Sequence, residues 1–150
     1  MKKRSQGLGS VKHYSEHREQ MASRDLQQAL GNLRQQEARL QELVDYRNEY
    51  AQRLNTEGQT GISGQAIKSF HNFLLSIDKA IAGQKQYVKQ AGVEYEQRKQ
   101  LWLAARNRVK AVDKVVDRYT DEENRAEEKL AQKEQDDRAA GKSGGNKQGS

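Results

Sequence analysis

Residues 67–130 read IKSFHNFLLSIDKAIAGQKQYVKQAGVEYEQRKQLWLAARNRVKAVDKVVDRYTDEENRAEEKL. Alternating steps of three and four through this stretch land on Ile67, Phe70, Leu74, Ile77, Ile81, Gln84, Val88, Ala91, Tyr95, Arg98, Trp102, Ala105, Val109, Val112, Val116, Tyr119, Glu123, Ala126 and Leu130. Sixteen of these nineteen positions are apolar in a chain that is 33% apolar, where about six would fall there without a period. This is the seam of a coiled coil, and it holds for nine heptads without a proline to break it. At 1.5 Å of rise per residue it describes a helix on the order of 95 Å long, which needs a partner along its apolar stripe.

The partner lies upstream in the same chain. A second seam runs through Leu26, Leu30, Leu33, Glu37, Leu40, Val44, Arg47, Ala51 and Leu54, with seven of its nine positions apolar. Further toward the N-terminus the same ruler meets Ser23, Glu19 and Glu16, so the pairing is expected to weaken there. Between the two seams lies Asn55-Thr56-Glu57-Gly58-Gln59-Thr60-Gly61-Ile62-Ser63-Gly64. Its three glycines end the first helix, and Ser63 or Thr60 is placed to cap the second. So short a connection favours an antiparallel return; two parallel long helices in a dimer are the alternative. The expected fold is all-α, a long antiparallel two-helix coiled-coil hairpin, with a helix over about 12–55, a turn over 56–64 and a helix over about 65–136. Residues 1–10, polar with Gly7 and Gly9, and residues 137–150, rich in glycine, are expected to be disordered.

Composition supports an elongated helical protein over a compact one. The 150 residues include no Pro, no Cys, one Trp and two Phe, 32% are charged, and the mean hydropathy is -1.15. A single-core domain of this length normally carries more large apolar side chains, so an enzyme fold is not expected. Without cysteine there is no disulfide framework, thiolate metal site or cysteine nucleophile. No apolar run reaches the length of a membrane span, and Lys2, Lys3 and Arg4 lack the apolar segment of a secretory signal, so a cytoplasmic protein without membrane insertion is expected. The net charge of +6 raises nucleic acid or an acidic membrane surface as partners. Acids are interleaved with the bases, however, and no base-reading or stacking motif is present, so no nucleic-acid role is expected.

Chemistry-bearing patterns are sparse. His13 and His17 share a helix face, but only Glu16 accompanies them, so they read as surface histidines. Gly58, Gly61 and Gly64 lack the strand and the Lys-Ser/Thr of a phosphate loop. Glu122 and Glu123 sit in a solvated charge run with no apolar pocket to shift a carboxyl group. No catalytic residue, metal ligand or cofactor is expected.

Two surfaces stand out instead. Pairing Leu54 with Ile67 pairs Leu26 with Tyr95 and Val11 with Lys110. Beyond about Arg98 the second helix still carries Leu101, Trp102, Leu103, Val109, Val112, Val115, Val116 and Tyr119, for which the first arm offers no matching seam. That overhang is expected to be an exposed apolar stripe, flanked by Arg106, Arg108, Lys110, Lys114 and Arg118 and suited to an apolar partner with acidic surroundings. The second surface lies beside the seam near the turn, where Leu43, Tyr46, Tyr50, Phe73, Ile77 and Ala80 gather on one flank. It reads either as a wider hydrophobic seam or as a docking face.

The segment Leu43-Val44-Asp45-Tyr46-Arg47-Asn48-Glu49-Tyr50, then Leu54, Gly61-Ile62-Ser63, Phe70-His71-Asn72-Phe73-Leu74 and Asp78-Lys79-Ala80-Ile81-Ala82-Gly83-Gln84, resembles the FliJ family of bacterial flagellar export proteins. The resemblance is close over 43–84 and looser over about 20–130. It implies a cytoplasmic antiparallel stalk, similar to the central gamma subunit of rotary ATPases and peripheral to the inner membrane at the flagellar base. Such a stalk inserts into a hexameric export ATPase and links it to the cytoplasmic domain of the large export-gate membrane protein, and the family also handles export chaperones. By the resemblance, the gate-binding residues are Leu43, Tyr46, Tyr50, Phe73, Ile77 and Ala80, while Arg39 and Gln84 depart from the family pattern at the edge of that cluster. The ATPase-facing surface is assigned to the far end, at Leu101, Arg106, Arg108, Val109, Val112, Val115 and Tyr119. The stalk of a virulence-type secretion system and a basic coiled-coil adaptor are the alternative readings.

Overall fold

The structure is a computed structural model and describes residues 3–146. It is all-α, with α1 (Arg4–Gly7), α2 (Gly9–Gln59) and α3 (Gly64–Asn146) and no strand among the described residues. Contacts divide the chain into two units, one formed by Gln20–Leu103 and the other by the segments on either side of it.

The first unit is an antiparallel hairpin built around a four-residue turn. α2 runs on to Gln59, four residues past its expected end, because Asn55 to Gln59 are exposed and a helix there buries nothing unsatisfied. The Thr60 amide and hydroxyl both bond to the Glu57 carbonyl, at 3.1 and 2.9 Å, and close the helix. Gly61 then takes φ +83, a left-handed conformation in which a Cβ would be strained. Ser63 Oγ accepts from the Ala66 amide at 3.2 Å and caps α3, so of the two expected capping residues Ser63 starts the second helix while Thr60 ends the first.

Away from the turn, Arg47 meets Asp78, Gln36 meets Gln84 and Asp25 lies near Arg98, all within one helical turn of the expected pairing. The core is narrow: Ala29, Ile77, Ile81 and Ala91 are buried, Ala91 to 4% exposure. The α3 seam follows the sequence ruler, every ruler position from Phe70 to Tyr95 being buried or half-buried. On α2 the seam differs. Leu26, Leu33, Leu40, Arg47 and Leu54 face inward as expected, but Ala29, Gln36, Leu43 and Tyr50 turn inward beside or in place of Leu30, Glu37, Val44 and Ala51, and Glu37 is exposed. Leu43 and Tyr50 are half-buried beside the seam.

The second unit corrects the expected overhang. Residues 4–19 are helical apart from a break at Leu8, and they pack on α3. Inward positions continue through Ser15 and Glu19, polar residues that carry no apolar signal; Ser15 is only 2% exposed and its hydroxyl donates to the Lys12 carbonyl at 2.8 Å. Lys12 faces Asp113 at 3.7 Å. Residues 1–10 are expected to be disordered; residues 1–2 lie outside the described residues, while Arg4–Gly7 and the start of α2 are helical instead, tied down by side chains of α3. The α3 seam in this unit ends at Glu123, with Ala126 and Leu130 exposed. Beyond that point α3 continues as a solvated helix, since the Glu, Lys, Arg, Gln and Ala that fill 124–140 are strong helix formers. It reaches Asn146, past the expected end at 136, and the last residues of the expected disordered tail, 147–150, lie outside the described residues.

Candidate functional site

Near the turn of the Gln20–Leu103 unit, the Asp45-Tyr46-x-x-Glu49-Tyr50 run of α2 and Phe70 and Phe73 of α3 bring four aromatic rings together. Tyr50 is at the centre, with ring centroids 4.2 Å from Phe73 and 5.0 Å from Phe70. Tyr46 stands 6.0 Å from Phe73, edge to face, and 6.4 Å from Tyr50. Tilted and edge-to-face ring pairs of this kind are attractive beyond the area they bury, so the rings support one another. The spacing follows from helix geometry. Tyr46 and Tyr50 are four apart and Phe70 and Phe73 three apart, so each pair presents one face.

The six residues assigned to this patch have different roles. Tyr46 is 51% exposed and Ala80 is also exposed, so these two offer surface. Leu43, Tyr50 and Phe73 are half-buried and form its wall. Ile77, at 6% exposure, is a core residue beneath the patch and offers almost no surface of its own. Phe70, which the seam pattern assigned to packing alone, completes the cluster through Tyr50.

Beside Tyr46 a hollow of about 450 Å³ is lined by Arg39, Glu42, Leu43, Tyr46 and Gln84. Gln84 does not point outward to a ligand: its Nε2 donates to the backbone carbonyl of Gln36 at 3.0 Å and to Gln36 Oε1 at 2.8 Å. On another side of α2, Arg47 Nε donates to Asp78 Oδ1 at 2.6 Å. That hydrogen bond, with the opposite charge behind it, raises the Arg47 pKa further above its ordinary value. The patch is thus an aromatic surface with a charged rim, fastened to the opposite helix by two polar pairs.

In the other unit, the expected ATPase-facing residues Val109, Val112, Val115 and Tyr119 are half-buried on α3 while Arg106 and Arg108 are exposed. Leu8 and Val11 cover part of the stripe and leave a hollow of about 350 Å³ lined by Leu8, Val11, Arg108, Ala111, Val112 and Val115. Leu101 belongs to the hairpin unit, where its side chain is largely exposed. The contribution of Leu8 and Val11 was missed because that arm lacks a hydrophobic period. Among the described residues no group of three or more His, Asp or Glu is arranged to hold a metal, and no helix is long and apolar enough to cross a membrane.

Comparison with known proteins bears on what this arrangement serves. The sequence model of a family described as Flagellar FliJ protein matches residues 5–148. The chain is 27% identical over 130 residues to a Flagellar FliJ protein of Escherichia coli (strain K12), covering 87% of this chain and 88% of the relative. It is 28% identical, over the same length and with the same coverage of both chains, to one of Salmonella typhi. No solved structure matches it.

Proposed function

We propose, starting from the fact that this chain belongs to the FliJ family of flagellar proteins, that it is a non-catalytic accessory protein of the flagellar protein-export apparatus. It acts at the cytoplasmic face of the inner membrane by binding two machines, the hexameric export ATPase and the cytoplasmic domain of the large export-gate protein, and it handles export chaperones. The observation that carries the reading is the aromatic patch, in which Tyr46 is held half in water by packing against Tyr50 and Phe73. A tyrosine fixed by its neighbours loses little conformational freedom on docking, as an anchor in an interface requires.

The gate-binding surface is then Tyr46 and Ala80 with the walls supplied by Leu43, Tyr50 and Phe73, while Ile77 sets their position from below. The ATPase-binding surface comprises Arg106, Arg108, Val109, Val112, Val115 and Tyr119, together with Leu101. Paired helices suit such a link because each supports the other along a shared seam, whereas an isolated helix frays.

The test is ATP hydrolysis by the purified flagellar export ATPase with and without this protein, together with sedimentation of the mixture. Stimulation with co-sedimentation in a ring-sized complex is expected. A second arm measures binding of the gate protein's cytoplasmic domain to the wild type and to Tyr46→Ala. No effect on the ATPase and equal gate binding by both proteins would overturn the proposal.

A further inference from the structure

The four-residue helix α1 does not persist on its own strength. It is too short to be stable alone, and Lys3 at its start makes no side-chain cap. Its support comes from α3. The Ser5 amide donates to one carboxylate oxygen of Glu123 at 3.1 Å and the Ser5 hydroxyl to the other at 2.6 Å. The Lys3 ammonium pairs with Glu127, and the Arg4 guanidinium stands 5.8 Å from the centroid of the Tyr119 ring. Leu8, where the helix breaks, is half-buried and reaches the hollow it shares with Val11, Ala111, Val112 and Val115. Gly7 and Gly9 flank the break, where Leu8 keeps an αR conformation, its amide donating to the Arg4 carbonyl at 3.2 Å and its carbonyl accepting from the Lys12 amide at 2.8 Å, so a few backbone bonds join the segment to α2.

These contacts share two properties. Each is made by a side chain in partial contact with water, where charge pairs are weak, and each joins a backbone whose ordering is entropically opposed. Together they match one short segment to one surface in charge and in shape: two cations, a hydroxyl and an aliphatic anchor meet two carboxylates, an aromatic ring and an apolar hollow. We propose that residues Lys3–Leu8 are a displaceable strap, an internal ligand seated on a docking surface made by Val112, Val115, Tyr119, Glu123 and Glu127. The partner segment that takes its place carries the strap's own chemistry, adjacent basic residues followed by a hydroxyl and, three residues on, an aliphatic side chain. The surface overlaps the stripe assigned above to the ATPase, and that overlap rests on the proposed function; the strap itself does not.

The test uses the full chain and a labelled peptide of sequence MKKRSQGLGS, read by fluorescence anisotropy. In the wild type the tethered strap competes with the peptide. The double variant Lys3→Glu, Ser5→Ala releases the strap and leaves α3 intact. If the strap is closed nine-tenths of the time, the variant binds the peptide about tenfold more tightly. Adding Glu123→Gln and Glu127→Gln to that variant is expected to remove the gain, with unchanged circular dichroism showing that the helices persist. Equal peptide affinity in wild type and released variant, or a gain that survives loss of both carboxylates, would overturn the strap. Stimulation of the export ATPase is measured on the same released variant. Unchanged stimulation with the peptide gain intact supports the strap and removes the ATPase from that surface.

Discussion

Gln84 of α3 spends its amide nitrogen on Gln36 of α2, donating to both the backbone carbonyl and the side-chain oxygen across the seam. Both residues are half-buried among apolar neighbours, where an unpaired amide would be costly, so this pair favours one register of the two helices over its neighbours. Gln84→Ala should lower stability by about 1 kcal/mol, because the Gln36 side-chain oxygen loses its donor while Gln36 Nε2 keeps its bond to Asn32. The double variant Gln36→Leu, Gln84→Leu should recover that loss and melt at or above the wild-type temperature. Thermal unfolding followed by circular dichroism measures both, and a double variant less stable than the single would refute the register role.

Tyr46 and Tyr50 separate surface from support. Tyr46→Ala should change stability by less than about 1 kcal/mol, since half of the ring is already in water. Tyr50→Ala removes the ring that touches Phe70, Phe73 and Tyr46 and should cost about 2 kcal/mol, below the range for fully buried aromatics. Urea titration gives both values, and binding of the gate protein's cytoplasmic domain should fall for each variant.

Ala91 is nearly without exposure, and Ala29 is buried in the same narrow core. A larger residue at this point has to push the helices apart. Ala91→Leu should therefore destabilise by about 1–3 kcal/mol even though it adds apolar surface. A variant that melts higher than wild type would show slack packing instead.

The attachment of α1 depends on pH in a defined direction. The two hydrogen bonds from Ser5, with smaller help from the Lys3 charge and the Arg4 amide, lower the Glu123 pKa below its ordinary value. A depressed carboxylate pKa means that the contact contributes fully above the unfolded value of about 4.3 and is lost as pH falls through the lower folded value. The Ser5 amide resonance, bonded to that carboxylate, should shift as pH is lowered from 6 to 3, with a midpoint below the ordinary glutamate value. A midpoint at or above the ordinary value, or no shift, would contradict the attachment.

Much of the fold is legible from a single period. The α3 seam can be followed residue by residue from Phe70 to Glu123 because apolar side chains recur there with an unbroken period. On α2 the pattern is degenerate: Leu30 sits beside Ala29 and Val44 beside Leu43, so hydrophobicity does not choose between them, and between Gln36 and Glu37 it offers no signal at all. The structure chooses by what each residue meets across the seam, and Gln36 wins because Gln84 is there. The aromatic patch is visible as a flank, and Ile77 already lies on the α3 seam pattern, in keeping with its burial; what the pattern does not show is that Tyr46 and Ala80 stay exposed while Leu43, Tyr50 and Phe73 are half-buried, since that depends on the rotation of both helices. The contacts of residues 3–8 were hidden for another reason. Ser5 and Glu123 are 118 residues apart, and no local pattern announces a bond between a serine and one glutamate among several.

The turn at Thr60–Ser63 also sets an order of events. Contacts across the chain span 31 residues at Arg47–Asp78, 48 at Gln36–Gln84, 118 at Ser5–Glu123 and 124 at Lys3–Glu127. Each inner pair, once made, shortens the loop that the next must close, so the chain can zip outward from Gly61 at small successive entropic cost. On a growing chain the first arm is therefore expected to stay unpaired until the second emerges to meet it. Residues 3–8, whose contacts close the longest loops, are expected to find their place last.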